Sequence, residues 1–182
     1  MSIAKENRMP TPARTSIDRI VAAGRAILET EGITGVTMNA VAAQVGVRPP
    51  SLYKHVSDRD ALLGLVADAA VGELGAKLAH ETTAAELART VRAWALAHPA
   101  AFQLAFSGRA AQDALAASSE PVLRVSRELA GSDNALMAAR LLTAWCNGFV
   151  TMELAGAFQL GGDVDASFEF ALERLTAALS RH

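Results

Sequence analysis

Apolar residues recur at three- and four-residue intervals along most of the chain, a spacing that predicts a succession of amphipathic helices. Ile17, Ile20, Val21, Gly24, Ile27 and Leu28 share one helical face, introduced by the capping-type run Thr15-Ser-Ile-Asp18 and ending at Gly32. A second, short helix carries Val41, Ala42 and Val45, with Thr37 as its N-cap and Gly46 as its left-handed stop. Ser57-Asp-Arg-Asp60 opens a longer helix through Leu62, Leu63, Val66, Ala70, Leu74 and Leu78. Thr83-Ala-Ala-Glu86 forms a regular capping box before Leu87, Val91, Trp94 and Ala95. His98-Pro99 interrupts that helix, because proline disfavours helical geometry in the residue before it. A short apolar segment, Ala100–Phe106, follows. Residues 109–131 read as helix broken around Ser118-Ser119-Glu120-Pro121. The longest helix is expected over Asn134–Leu160, closed by Gly161-Gly162, and a last one over Asp165–Leu179.

The segment from Thr37 to Val56 carries the chemistry. After Gly46, Pro49 and Pro50 fit only the first turn of a new helix, where the missing amide hydrogens cost nothing. That second helix, about 49–55, turns Leu52 and Val56 inward and presents Arg48, Ser51, Tyr53, Lys54 and His55. Two short helices joined by a tight turn, the second rich in hydrogen-bonding and cationic groups, match a helix-turn-helix that inserts into a DNA major groove. A solvated charged face with Tyr53 packed inward is the plainer reading, and the agreement of turn residues, spacing and side-chain types argues against it.

Residues 16–62 resemble the DNA-binding domain of the TetR family of bacterial transcriptional repressors. The resemblance runs through Glu31-Gly32-Ile33-Thr34-Gly35-Val36-Thr37-Met38, Val41-Ala42 and Gly46-Val47. It continues through Leu52-Tyr53, His55-Val56 and Asp60-Ala61-Leu62-Leu63. It implies a homodimer on palindromic operator DNA, most simply a repressor released by a small-molecule effector. Arg48 is assigned to base recognition, since arginine pairs bidentately with guanine. Ser51, Tyr53, Lys54 and His55 are assigned to phosphates or base edges, Thr37 and Arg59 to flanking phosphates, and Arg14 to a contact from the amino-terminal arm. The expected organisation is an arm over 1–14, a DNA-binding domain over 15–62 and a helical effector-binding and dimerisation domain over 63–182.

Hydrophobic residues make up 51% of the 182 and aromatics only 5%. An alanine-rich chain without a convincing run of alternating β-branched residues reads as all-α. Net charge is −2, but residues 1–60 hold eight Lys/Arg against six Asp/Glu and residues 61–182 hold nine against thirteen. The amino-terminal third therefore has the local positive balance that phosphate contact needs. A single cysteine, Cys146, fits a reducing cytosol and a cytoplasmic protein. The polar Met1–Pro12 lacks the apolar centre of a secretory signal.

In the last two helices, Ala144, Trp145, Gly148, Phe149, Met152, Ala155, Gly156 and Phe158 mix small and large residues suited to close packing. They read either as the domain core or as the family's four-helix dimer interface, and the need for a two-fold axis favours the interface. For the effector site the candidates are Trp94, His98, Phe102, Phe106, Trp145, Asn147, Phe149, Met152 and Glu153, a mostly apolar set with a few polar groups. Helical aromatics are also ordinary core, which is the alternative for each. Ala144–Gly156 further resembles a TetR subgroup with a His-Gly pair after a tryptophan, but Asn147 stands in the histidine's place.

Three other readings compete: an activator or effector-independent regulator, a helix-turn-helix used for protein contacts, and an enzyme built on Cys146 with His98. The enzyme is the weakest, because the histidines are scattered and no phosphate-cradling loop or metal spacing occurs. No cofactor is expected.

Overall fold

Ser16, rather than Thr15, caps the first helix: its hydroxyl accepts from the Arg19 amide at 3.3 Å. The computed structural model describes residues 15–180, so the arm and Arg14 lie outside the described residues. Helix α1 (Ile17–Gly35) buries Ile20, Ala23, Gly24, Ile27 and Leu28, and its regular geometry breaks at Gly32 as expected. Thr37 caps α2 (Met38–Val45) by accepting from the Ala40 amide at 3.1 Å. Gly46 ends α2 at φ 78°, a left-handed conformation that a side chain would resist.

Residues Pro49–Lys54 form a 3-10 helix, η1, tighter than the α-helix expected over 49–55. Two successive prolines remove two amide donors from its first turn. The closing bonds are correspondingly short-range: Ser51 N–H to Arg48 C=O at 2.9 Å, and His55 N–H to Leu52 C=O at 2.8 Å. Asp58, not Ser57, then caps α3 (Arg59–Leu78), accepting from the Ala61 amide at 2.8 Å.

Helix α4 (Ala84–Ala97) begins with both halves of the Thr83/Glu86 capping box, and α5 (Pro99–Ala105) follows across His98. α6 (Gln112–Ala130) runs unbroken through Pro121, against the expected interruption. Pro121 is buried in the packing, and the Ser118 and Ser119 hydroxyls donate to carbonyls of the preceding turn, at 2.9 Å to Ala114 and 2.6 Å to Leu115. α7 (Ala135–Leu154) stops short of the expected Leu160. Gly156 turns to φ 63°, and the Ala157 amide donates back to Met152 C=O at 2.9 Å, which closes the helix there. α8 (Val164–Leu179) is capped by Asp163.

Among the described residues every regular element is a helix, and no helix is long and apolar enough to cross a membrane. α1, α2, η1 and the first half of α3 form a head around Ile20, Leu28, Val41, Leu52, Leu62 and Val66. α3 to α8 form the body, with the α3–α6 and α6–α7 packings as its main seams. The expected boundary between residues 62 and 63 falls inside continuous α3, and one core runs through it: Leu62, Leu63, Val66, Ala67 and Ala70 are all fully buried.

Candidate nucleic-acid interface and ligand cavity

The reading face is built from the inside outward. Leu52 is fully buried and Val56 nearly so, which seats η1 against α2 and leaves its remaining side chains outside. Arg48, Tyr53, Lys54 and His55 are exposed, Tyr53 by 55%, while Ser51 and Thr37 are half-buried. No acidic partner neutralises Arg48 or Lys54 among the described residues. A large aromatic left in solvent beside unpaired cations is an arrangement suited to a polyanion.

Two arginines brace this face. Arg59 donates through Nε to Val36 C=O at 2.7 Å and through Nη2 to Ile33 C=O at 2.6 Å, so its guanidinium ties α3 to the α1–α2 turn. The structure thus gives Arg59 an internal tether where the sequence indicated a phosphate contact. Arg19, absent from the sequence-derived set, donates from Nη2 to Val45 C=O at 3.2 Å and fastens α1 to the end of α2. Neither tether is visible in sequence, because each joins residues more than twenty positions apart.

The body carries a partly open cavity of about 540 Å³ between α3, α6 and α7. Val71, Leu74, Gly75 and Leu78 of α3 form one wall, and Leu115, Ser118, Val122 and Leu123 of α6 another. The α7 wall is more polar, with Arg140, Thr143 and Asn147 along it, and Cys146 closes one side. α3 and α6 approach so closely at the edge that a Cβ on Gly75 would lie 2.7 Å from Ser118 Cβ.

Of the nine effector candidates, this cavity brings together Phe106 and Asn147. The other seven lie outside its lining. Trp94 is buried, and its indole N–H donates to Glu73 at 2.8 Å. His98 sits with its ring 5.8 Å from that of Trp94 and its Nδ1 4.0 Å from Glu29 Oε1. Phe102 is core, 1% exposed. Trp145 and Phe149 pack on Phe168, at centroid distances of 5.1 and 5.2 Å. Met152 is exposed, and Glu153 accepts twice from Arg92 at 2.7 and 2.5 Å. Aromatic residues on these helices were consumed by packing. The cavity wall was set by aliphatic and small residues whose pairing across α3 and α6 is non-local.

Cys146 is buried, and burial pushes its thiol up to about 12, against a smaller opposing pull from Arg92. His98 stands outside the cavity that Cys146 lines. The pair considered for nucleophilic chemistry is therefore not assembled.

Comparison with known proteins bears on both regions. Residues 20–66 match the family described as bacterial regulatory proteins, tetR family, and residues 84–175 match the tetracyclin repressor-like C-terminal domain. An uncharacterised HTH-type transcriptional regulator of Mycobacterium tuberculosis is 31% identical over 93% of this chain and 84% of its own length. The HTH-type transcriptional repressor DrrR1 of Streptomyces coeruleorubidus is 31% identical over 76% of this chain and 53% of its own. Among solved structures, Mycobacterium smegmatis BioQ superposes with a TM-score of 0.71 at 28% identity, covering 92% of this chain and 99% of that one.

Proposed function

Because the chain belongs to the TetR family of bacterial transcriptional regulators, we propose that it works as a homodimeric repressor that leaves palindromic operator DNA when a small molecule fills the cavity under α3. Its relatives are transcriptional regulators. The observation that carries this reading is α3 itself. Its first half supplies Leu62, Leu63 and Val66 to the core of the DNA-reading head, and its second half supplies Val71, Leu74 and Leu78 to the cavity wall. A 20-residue helix spans roughly 30 Å, so movement of one end displaces the other. For such a switch, the ligand must bind the two arrangements of α3 with different affinity.

The dimer reading draws on the outer face of α7. Met137, Leu141, Ala144, Gly148, Thr151 and Ala155 are all exposed and follow one another at alternating four- and three-residue steps. A Cβ on Gly148 would meet nothing within 4 Å in the protomer. This stripe is small enough for a second helix to approach closely, and Phe170 of α8, 61% exposed, extends the apolar surface.

Selection of double-stranded genomic fragments by the purified protein tests the DNA reading, with Arg48→Ala and Tyr53→Ala beside the natural chain. Enrichment of a short palindrome, weakened in both variants and falling steeply with salt, is expected. A protein-interaction module would enrich no sequence. Sedimentation of Gly148→Arg tests the dimer: the variant should shift toward monomer, and an unshifted dimer would place the interface elsewhere.

A further inference from the structure

The cavity's charge is one-sided. Arg140 is the sole charged side chain lining it, no Asp or Glu faces it, and Arg140 has no ion-pair or hydrogen-bond partner among the described residues. Thr143 and Asn147 lie on the same stripe of α7, three and seven positions further on. The hydroxyls of Ser118 and Ser119 on the opposite wall already donate to their own helix, which withdraws them from ligand recognition as donors. Polar recognition is thus confined to one strip of α7, facing aliphatic walls from α3 and α6.

We infer that the effector is a mostly apolar organic anion whose carboxylate or sulfonate pairs with Arg140 at the exposed rim. A neutral hydrogen-bonding group on the molecule meets Asn147 roughly 10 Å further along the helix, given a rise of about 1.5 Å per residue. A lone guanidinium at the rim of an apolar chamber favours an anion, because an anion gains a charge-assisted pair there, a cationic ligand meets an uncompensated like charge, and a neutral one gains nothing from it. The chamber, at about 540 Å³, lies in the range that encloses a drug-sized molecule. This inference rests on the effector reading above and adds the chemical class of the ligand.

The test uses two probes with the same aromatic body: 1-anilinonaphthalene-8-sulfonate, an anion, and N-phenyl-1-naphthylamine, its uncharged counterpart. Fluorescence titration of the full chain should give one saturable site per protomer for each, with the two competing. Arg140→Gln should weaken the sulfonate about tenfold and leave the neutral probe unchanged. Arg127→Gln, on α6 outside the lining, should change neither. If both probes bind but Arg140→Gln weakens neither or weakens both alike, the anion assignment falls while a fillable effector cavity stands. If neither probe binds, the anion assignment falls together with the effector part of the proposed function.

Discussion

Two glycines three residues apart on α3 give opposite expectations for one chemical change. At Gly75, an added Cβ would lie 2.7 Å from Ser118 Cβ and 2.9 Å from Ser118 Cα. Carbon atoms in contact sit at about 3.5–4.0 Å, so α3 and α6 would have to part by roughly 1 Å. Overpacking of that kind costs about 1–3 kcal/mol. At Gly72, the same Cβ meets nothing within 4 Å. Both substitutions gain about 1 kcal/mol of helix propensity, which cancels when the two are compared. Gly75→Ala should therefore be about 1–3 kcal/mol less stable than Gly72→Ala. For a chain of this length that is a gap of roughly 2–12 °C in melting temperature. Thermal unfolding followed by circular dichroism, at one fixed protomer concentration, measures it. Ser118→Gly combined with Gly75→Ala should recover part of the loss, since it removes the nearer of the two opposing carbons. If Gly75→Ala melts at or above Gly72→Ala, the close α3–α6 approach at the cavity edge is wrong.

Arg59→Ala should cost about 2 kcal/mol in urea unfolding, because the Ile33 and Val36 carbonyls lose charged donors; an unchanged midpoint would return Arg59 to the role of a surface phosphate contact. The Glu86 carboxyl is held below its ordinary value of 4.5 by the Thr82 amide first, then the Thr82 hydroxyl and the Thr83 amide. A lowered folded-state value means stability that is present above pH 4.5 and lost as pH falls through that lowered value. Glu86→Gln should flatten the decline over that window, and a decline as steep as that of the natural chain would contradict the assignment. Cys146 should label slowly with a thiol reagent at pH 8 until the chain unfolds, as its depressed acidity and burial require; rapid labelling of folded protein would revive a reactive thiol.

Local chemistry was legible in the sequence, and assembly was less so. Thr37, Gly46 and Pro49 act on atoms within a few residues, so the helix, turn and second helix of the head could be read directly. Even there, the doubled proline favoured a 3-10 helix over an α-helix. Pro121 and the loop after Leu154 were misjudged because burial of the proline ring and back-donation to Met152 are outcomes of packing and chain reversal. The ligand site was the least legible. Aromatic residues fill cores and pockets alike, and here Trp145, Phe149 and Phe168 stack on one another while Trp94 is claimed by Glu73. Arg140 carried a usable signal, a cation in an otherwise apolar stretch of α7, which periodicity alone does not single out.

The head and the body are also joined by α1, which ties itself to the second half of α3 and to α5. Arg25 of α1 pairs with Glu73 at 2.9 Å, and Glu29 accepts from the Ala101 amide of α5 at 3.2 Å. Operator specificity in this protein is consequently not a detachable module. A chimera spliced after residue 62 would join a foreign α1 to a resident Glu73 and Ala101, cut the buried Leu62–Leu63 pair and bring a foreign residue in the place of Gly24 against the resident Val66. Transplanting only the exposed residues Arg48, at the cap of η1, and Tyr53 and Lys54 on it leaves all of those seams intact. With the DNA-reading role proposed for those residues, retargeting to a new operator, in the laboratory or over evolutionary time, has its easiest route through a few surface positions rather than through exchange of whole domains.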